Sequence, residues 1–162
     1  VEADLAAGMP GGLPPPHLVV HGAAITADPS TLGWTRAAHL AANTRPLLAA
    51  LEYAAATRPA AFVYLSSSGV FAPEDGRGAL AVTDVPTGQS AYAVAKRLGE
   101  RATLEGLDGL VPAHVVRLGY LYGPDEWARP TRPHVSPVAR WLATARAGRA
   151  LEVRDDDPAR DL

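Results

Sequence analysis

Cysteine is absent from the 162 residues, lysine and methionine occur once each, and only 6% of the chain is aromatic. Without cysteine there is neither a disulfide framework nor a thiolate metal site, a usage that fits a reducing compartment. No apolar run approaches the roughly 20 residues that a membrane span needs, and no signal-peptide pattern opens the chain, so a cytoplasmic location and no membrane partner are expected. An excess of one charge is lacking too. The formal net charge is -2, the arginines are scattered singly, and the acids gather at Glu74-Asp75 and Asp155 to Asp157. With no basic stripe to track a phosphate backbone, nucleic acid is not an expected partner. What is abundant is alanine, with 15 glycines and 15 prolines, which gives small residues and turns without a repeat or a disordered tract. The length suits one domain around a single core.

The scarcity of lysine gives weight to its position. Lys96 follows Tyr92 by four residues in Ser90-Ala91-Tyr92-Ala93-Val94-Ala95-Lys96, and on a helix that spacing puts a phenol and an ammonium one turn apart on one face. A phenol, with an ordinary pKa of about 10, transfers protons poorly near neutrality unless a positive charge stabilises its phenolate. Lys96 would supply that charge. Taken alone, the pair also fits a surface helix that carries both residues by coincidence.

The neighbouring segments decide between these readings. After the Gly- and Pro-rich loop from Gly8 to Pro16, His17-Leu18-Val19-Val20-His21 reads as a buried parallel strand that ends in the small residues Gly22-Ala23-Ala24. His17 and His21 are no metal pair, because four residues along a strand span about 13 Å and no carboxylate cluster joins them. Residues 31 to 57 have helical spacing, with a kink or restart expected near Asn43 to Arg45 because Pro46 lacks an amide donor. Ala60 to Leu65 reads as a second strand running into Ser66-Ser67-Ser68-Gly69, which places hydroxyls where open parallel sheets bind ligands. A polar loop covers residues 72 to 89. Ser90 is the expected N-cap of a helix running to about Gly106, and Ala113 to Leu118 is a third strand. A helix from about Ser136 to Ala147 and a short strand Leu151-Glu152-Val153 follow. Strand, helix, strand, helix, strand is the grammar of a parallel α/β sheet, and it brings Ser67, the start of the Tyr92 helix and the loop after Arg117 to one sheet edge.

In order, His21-Gly22-Ala23-Ala24 resembles H-x-A-A, Ser66 to Phe71 resembles S-S-x-x-V-Y, Tyr92 to Lys96 is Y-x-x-x-K, and Arg117 through Tyr122-Gly123-Pro124 resembles R-x-x-N-x-Y-G-P. With Asp4-Leu5 near the start and Arg160-Asp161 near the end, the chain resembles the extended short-chain dehydrogenase/reductase family, the NAD-dependent epimerases and dehydratases. The resemblance implies a partial Rossmann-type doubly wound parallel sheet with flanking helices. Residues 1–124 would be a partial dinucleotide-binding domain and residues 125–162 the start of a substrate-binding region. It further implies that Tyr92, Lys96 and Ser67 are catalytic. Asp4, Leu5, Ala23, Ala24, Asn43, Leu118 and Gly119, with Tyr92 and Lys96, would contact NAD or NADP, while Ser67, Ser68, Tyr120 and Arg160 would face a small-molecule substrate. A homodimer through the Asn43 and Tyr92 helices is expected on the same ground.

The departures carry information as well. Pro46 and Leu47 replace the glycine and threonine of N-x-x-G-T, Phe71-Ala72 replaces Tyr-Gly, and Tyr120 replaces an asparagine that often touches phosphate. The G-x-x-G-x-x-G turn, which seats a pyrophosphate on a helix N-terminus, is nowhere in the sequence. The expectation is therefore a truncated copy, the catalytic half of an NAD(P)-dependent oxidoreductase of epimerase/dehydratase type acting on a sugar, sugar nucleotide or similar polyol. The alternatives are a non-catalytic remnant or binding module of the same fold, and a small-carbonyl reductase.

Overall fold

The computed structural model describes residues 3–76, 80–123, 126–133 and 135–151. Most of the short strand expected at Leu151 to Val153, and Arg160, lie outside them.

Three parallel strands, β1 (Leu18–His21), β2 (Ala61–Ser67) and β3 (Ala113–Leu118), form a sheet in the order β1-β2-β3. Helix α1 (Arg36–Thr57) connects the first pair of strands, and α2 (Ala91–Gly106) connects the second. The α/β, Rossmann-like architecture expected from the strand and helix order is therefore present. The pleat decides what each strand buries. On β2, Phe62, Tyr64 and Ser66 are buried beneath the helices, and their alternates Ala61, Val63, Leu65 and Ser67 are only half-buried. Leu47, Ala50, Leu51 and Ala54 of α1 meet Phe62, Tyr64, Leu107 and Val111 in the core. On β1, Val20 remains 53% exposed, so the sheet face opposite the helices is uncovered among the described residues.

Helix ends follow local chemistry. Ser90 Oγ accepts from Ala93 N at 3.0 Å and caps α2, as the sequence predicts. Thr35 Oγ1 accepts from Ala38 N at 3.1 Å, so α1 begins at Arg36. The part of the predicted helix before it is instead a 3₁₀ turn, Pro29–Leu32, closed by Gly33 in the left-handed region. Of the kink or restart expected near Asn43 to Arg45, the restart does not occur, since α1 is continuous from Arg36 to Thr57 with Pro46 inside it. Side-chain donors serve carbonyls in the turn before the proline: Thr44 Oγ1 donates to Leu40 O at 2.9 Å, and Asn43 Nδ2 donates to His39 O at 3.1 Å. Among the described residues, no helix is long and apolar enough to cross a membrane.

Candidate active site

The carboxyl ends of the strands open into a cleft of about 810 Å³, with Gly22 and Ala24 after β1, Ser67 and Ser68 at the end of β2, Leu118 to Tyr120 at the end of β3, and Tyr92 and Lys96 from α2 among its lining. Ser67 is the last residue of β2 and lies in register with Leu118. Its hydroxyl accepts from Gly69 N at 3.0 Å, which turns the chain into a short 3₁₀ segment and fixes the side chain at the cleft.

Lys96 is 4% exposed. Its Nζ donates to Leu65 O at 2.7 Å and lies 4.9 Å from the Tyr64 ring centroid and 5.8 Å from that of Tyr92. An ammonium has three donors, and among the described residues the bond to Leu65 O uses one of them while the side chain lines the cleft. Burial lowers its pKa to about 8, against an opposing pull from Glu100. The Tyr92 phenol stands above its ordinary value because burial pushes it up more than the Ser67 hydroxyl and the Arg132 guanidinium draw it down. The net lowering expected from Lys96 is not what this environment produces, and at neutral pH the phenol holds its proton. His21, at the end of β1, stacks on Tyr64 with ring centroids 5.9 Å apart. Desolvation, reinforced by Lys96, lowers its pKa to about 4, so it is neutral.

The remaining candidates divide between the cleft and its supports. Ala24, Leu118, Gly119, Ser68 and Tyr120 line the cleft with the triad, whereas Asp4, Leu5, Ala23 and Asn43 are not among its lining residues. Asp4 caps a single 3₁₀ turn, Leu5–Ala7, by accepting from Ala6 N at 2.9 Å. Asn43 pairs with the backbone of residue 25, accepting from Ile25 N at 2.9 Å and donating to Ile25 O at 3.3 Å, and so ties the loop after β1 to α1.

Two residues at the site were not singled out from the sequence. Glu100 is buried one turn beyond Lys96 and accepts from Ser66 Oγ at 2.5 Å and from Arg117 Nε and Nη2 at 2.9 and 2.8 Å. It therefore joins α2 to the ends of β2 and β3. The four-residue spacing of Tyr92, Lys96 and Glu100 was the available signal. The second is Arg132, which reaches the cleft from a Pro-rich loop.

A parallel α/β sheet with a tyrosine, a lysine and a serine gathered at its carboxyl edge defines a Rossmann-like protein with a candidate proton-transfer site. The sequence model of the NAD dependent epimerase/dehydratase family matches residues 13–162, and the chain belongs to that family. No curated protein sequence matches it. Among solved structures, a UDP-N-acetylglucosamine 4-epimerase from Methanobrevibacter ruminantium is similar over 92% of this chain and 46% of its own, with TM-score 0.71 and 17% identity. A UDP-glucuronic acid 4-epimerase from Bacillus cereus covers 86% and 42%, with TM-score 0.68 and 22% identity. A UDP-glucose 4-epimerase from Thermotoga maritima covers 86% and 45%, with TM-score 0.66 and 21% identity. The chain thus spans less than half the length of each of these proteins, and at these identities the likeness speaks to fold.

Proposed function

We propose that this chain carries the proton-transfer half of an NAD(P)-dependent oxidoreductase of epimerase/dehydratase type, acting on a sugar, sugar nucleotide or similar polyol. One observation carries the reading: Tyr92, Lys96 and Ser67, drawn from a helix and the end of a neighbouring strand, line a single cleft. The residues present fit the nicotinamide end of a dinucleotide. Lys96 lines the cleft and, among the described residues, spends one of its three ammonium donors on Leu65 O, so it can serve ribose hydroxyls, and a Cβ added at Gly119 would meet nothing within 4 Å, so a flat ring can approach the backbone. When bound, NAD or NADP would accept or supply the hydride. Tyr92 gives or takes the proton at its phenol oxygen, Ser67 orients the substrate oxygen, and Lys96 holds positive charge beside both. Because the phenol is protonated at neutral pH, the resting site is set to donate. The exposed Leu48 of α1 and Leu98 of α2 are consistent with a homodimer through these helices.

In a polypeptide that also carries a glycine-rich turn and turns over, Tyr92→Phe should cut kcat by about 10²–10⁴-fold with cofactor affinity largely kept. A near-normal rate would sink the assignment. For the 162 residues themselves, calorimetric titration with NAD and NADP should show weak binding at most, because nothing in the sequence cradles a pyrophosphate. Tight binding would overturn that account.

A further inference from the structure

Residues 129 to 132 hold one side chain in the cleft. Arg129 and Arg132 exchange both backbone hydrogen bonds at 2.9 Å, closing a tight hairpin over Pro130 and Thr131. The Thr131 carbonyl at its tip accepts from Thr26 N at 2.9 Å, Ala27 N at 3.1 Å and Thr26 Oγ1 at 3.3 Å. The hairpin is thereby fastened to the loop after β1, and Arg132 lines the cleft with Tyr92, Ser67 and Ser68. Its side chain is 50% exposed, and it meets Glu126 from Nη2 to Oε1 at 3.4 Å. That carboxylate already accepts from the backbone N and the hydroxyl of Ser136. A contact this long is weak, so among the described residues most of the five guanidinium donors are unspent. Among the described lining residues the charged side chains are Lys96 and Arg132, with no carboxylate.

We propose that Arg132 forms an oxyanion subsite, taking a carboxylate or phosphate that the substrate carries close to the oxygen served by Tyr92. A forked guanidinium suits an acceptor with two oxygens. The inference rests on reading Tyr92 as the proton-transfer group. It also assigns Arg132 a second effect: the guanidinium draws the phenol pKa down, and an anion seated on it relieves that pull, so the bound phenol holds its proton more firmly.

The test is an NMR titration of the 162-residue chain with D-glucose, D-glucuronate and D-glucose 6-phosphate at constant ionic strength, following Tyr92 and Ser67. At least one anionic sugar should saturate roughly tenfold or more below glucose and raise the Tyr92 phenol pKa. A margin for glucuronate alone assigns the carboxylate, and one for the phosphate ester alone assigns phosphate. Arg132→Gln should erase the margin, Arg132→Lys should keep part of it, and Arg129→Gln, the same charge change next door, should leave it intact. Overturning results are no margin, a margin that survives Arg132→Gln, one that Arg129→Gln erases equally, or an Arg132→Gln effect confined to NAD binding. If the margin holds while Tyr92→Phe leaves turnover intact in the longer polypeptide, the functional reading fails and the anion subsite stands.

Discussion

The two cations of the cleft are held in opposite ways. Lys96 sits on a capped helix packed against β2, 4% exposed, bonded to Leu65 O and flanked by two aromatic rings. Arg132 sits on a hairpin with half its side chain in solvent and, among the described residues, one long side-chain contact. Burial makes the first charge costly and therefore tunable, with a pKa near 8. Exposure makes the second charge cheap to keep. A group beside the reacting oxygen gains from being fixed and adjustable, whereas a group that captures an anion gains from staying charged and open to arrival. The contrast predicts that disturbing the surroundings of Lys96 alters stability strongly, and that disturbing Arg132 alters binding and little else.

The largest effect belongs to Glu100→Ala. The carboxylate accepts from Ser66 Oγ and from Nε and Nη2 of Arg117, and removing it leaves the buried Ser66 hydroxyl and the partly exposed Arg117 guanidinium without that acceptor, at a cost toward the lower end of the about 3–5 kcal/mol of a broken buried pair. Urea unfolding should report that loss. A change below about 1 kcal/mol would mean that the network behaves as a surface pair. Next comes Lys96→Met, read as a function of pH. The folded pKa of Lys96 is about 8 against an ordinary 10.5. Below pH 8 both folded and unfolded chains are protonated, and burying the charge costs stability. Between about 8 and 10.5 the unfolded chain keeps the proton while the folded chain loses it, so wild-type stability rises with pH across that window. Relative to Lys96→Met, wild type should therefore gain at most roughly 3 kcal/mol over the window. A flat difference would show that the ammonium is not desolvated.

The strand and helix order and the extent of α2 from its Ser90 cap to Gly106 are legible in the sequence, because hydrophobic period and capping are local. So is the meeting of Tyr92, Lys96 and Ser67, which follows from parallel topology alone. Arg132 is not, since its place depends on hydrogen bonds between residues 105 apart in the chain. Glu100 was half legible. Its spacing from Lys96 is helical, but nothing local distinguishes a buried carboxylate from a solvated one until β3 delivers Arg117. The continuity of α1 through Pro46 is not legible locally either: proline removes one donor and disfavours a helical residue before it, and the packing of Leu47, Ala50, Leu51 and Ala54 into the core holds the helix together across it. The net rise of the Tyr92 pKa depends on how deeply the phenol is buried, which only packing sets.

A smaller effect sharpens the same contrast. Gly99 faces the sheet beneath Lys96, and a Cβ there would lie 2.3 Å from the Tyr64 hydroxyl. Gly99→Ala must push α2 or the tyrosine aside, at about 1–3 kcal/mol. Denaturation of this variant should show the loss together with a weaker Lys96 pKa shift, because the lifted helix admits water. The smallest expected change is Arg132→Gln. Glu126 keeps its bonds to Ser136 N and Oγ without the arginine, and the hairpin is held by the backbone of Thr131, which the substitution does not touch. Stability should therefore stay within about 0.5 kcal/mol of wild type, while the Tyr92 phenol, freed of one positive charge, moves further up. If unfolding instead shows a loss above about 2 kcal/mol, the guanidinium is a structural partner of Glu126 and the two cations of the cleft are held in the same way after all.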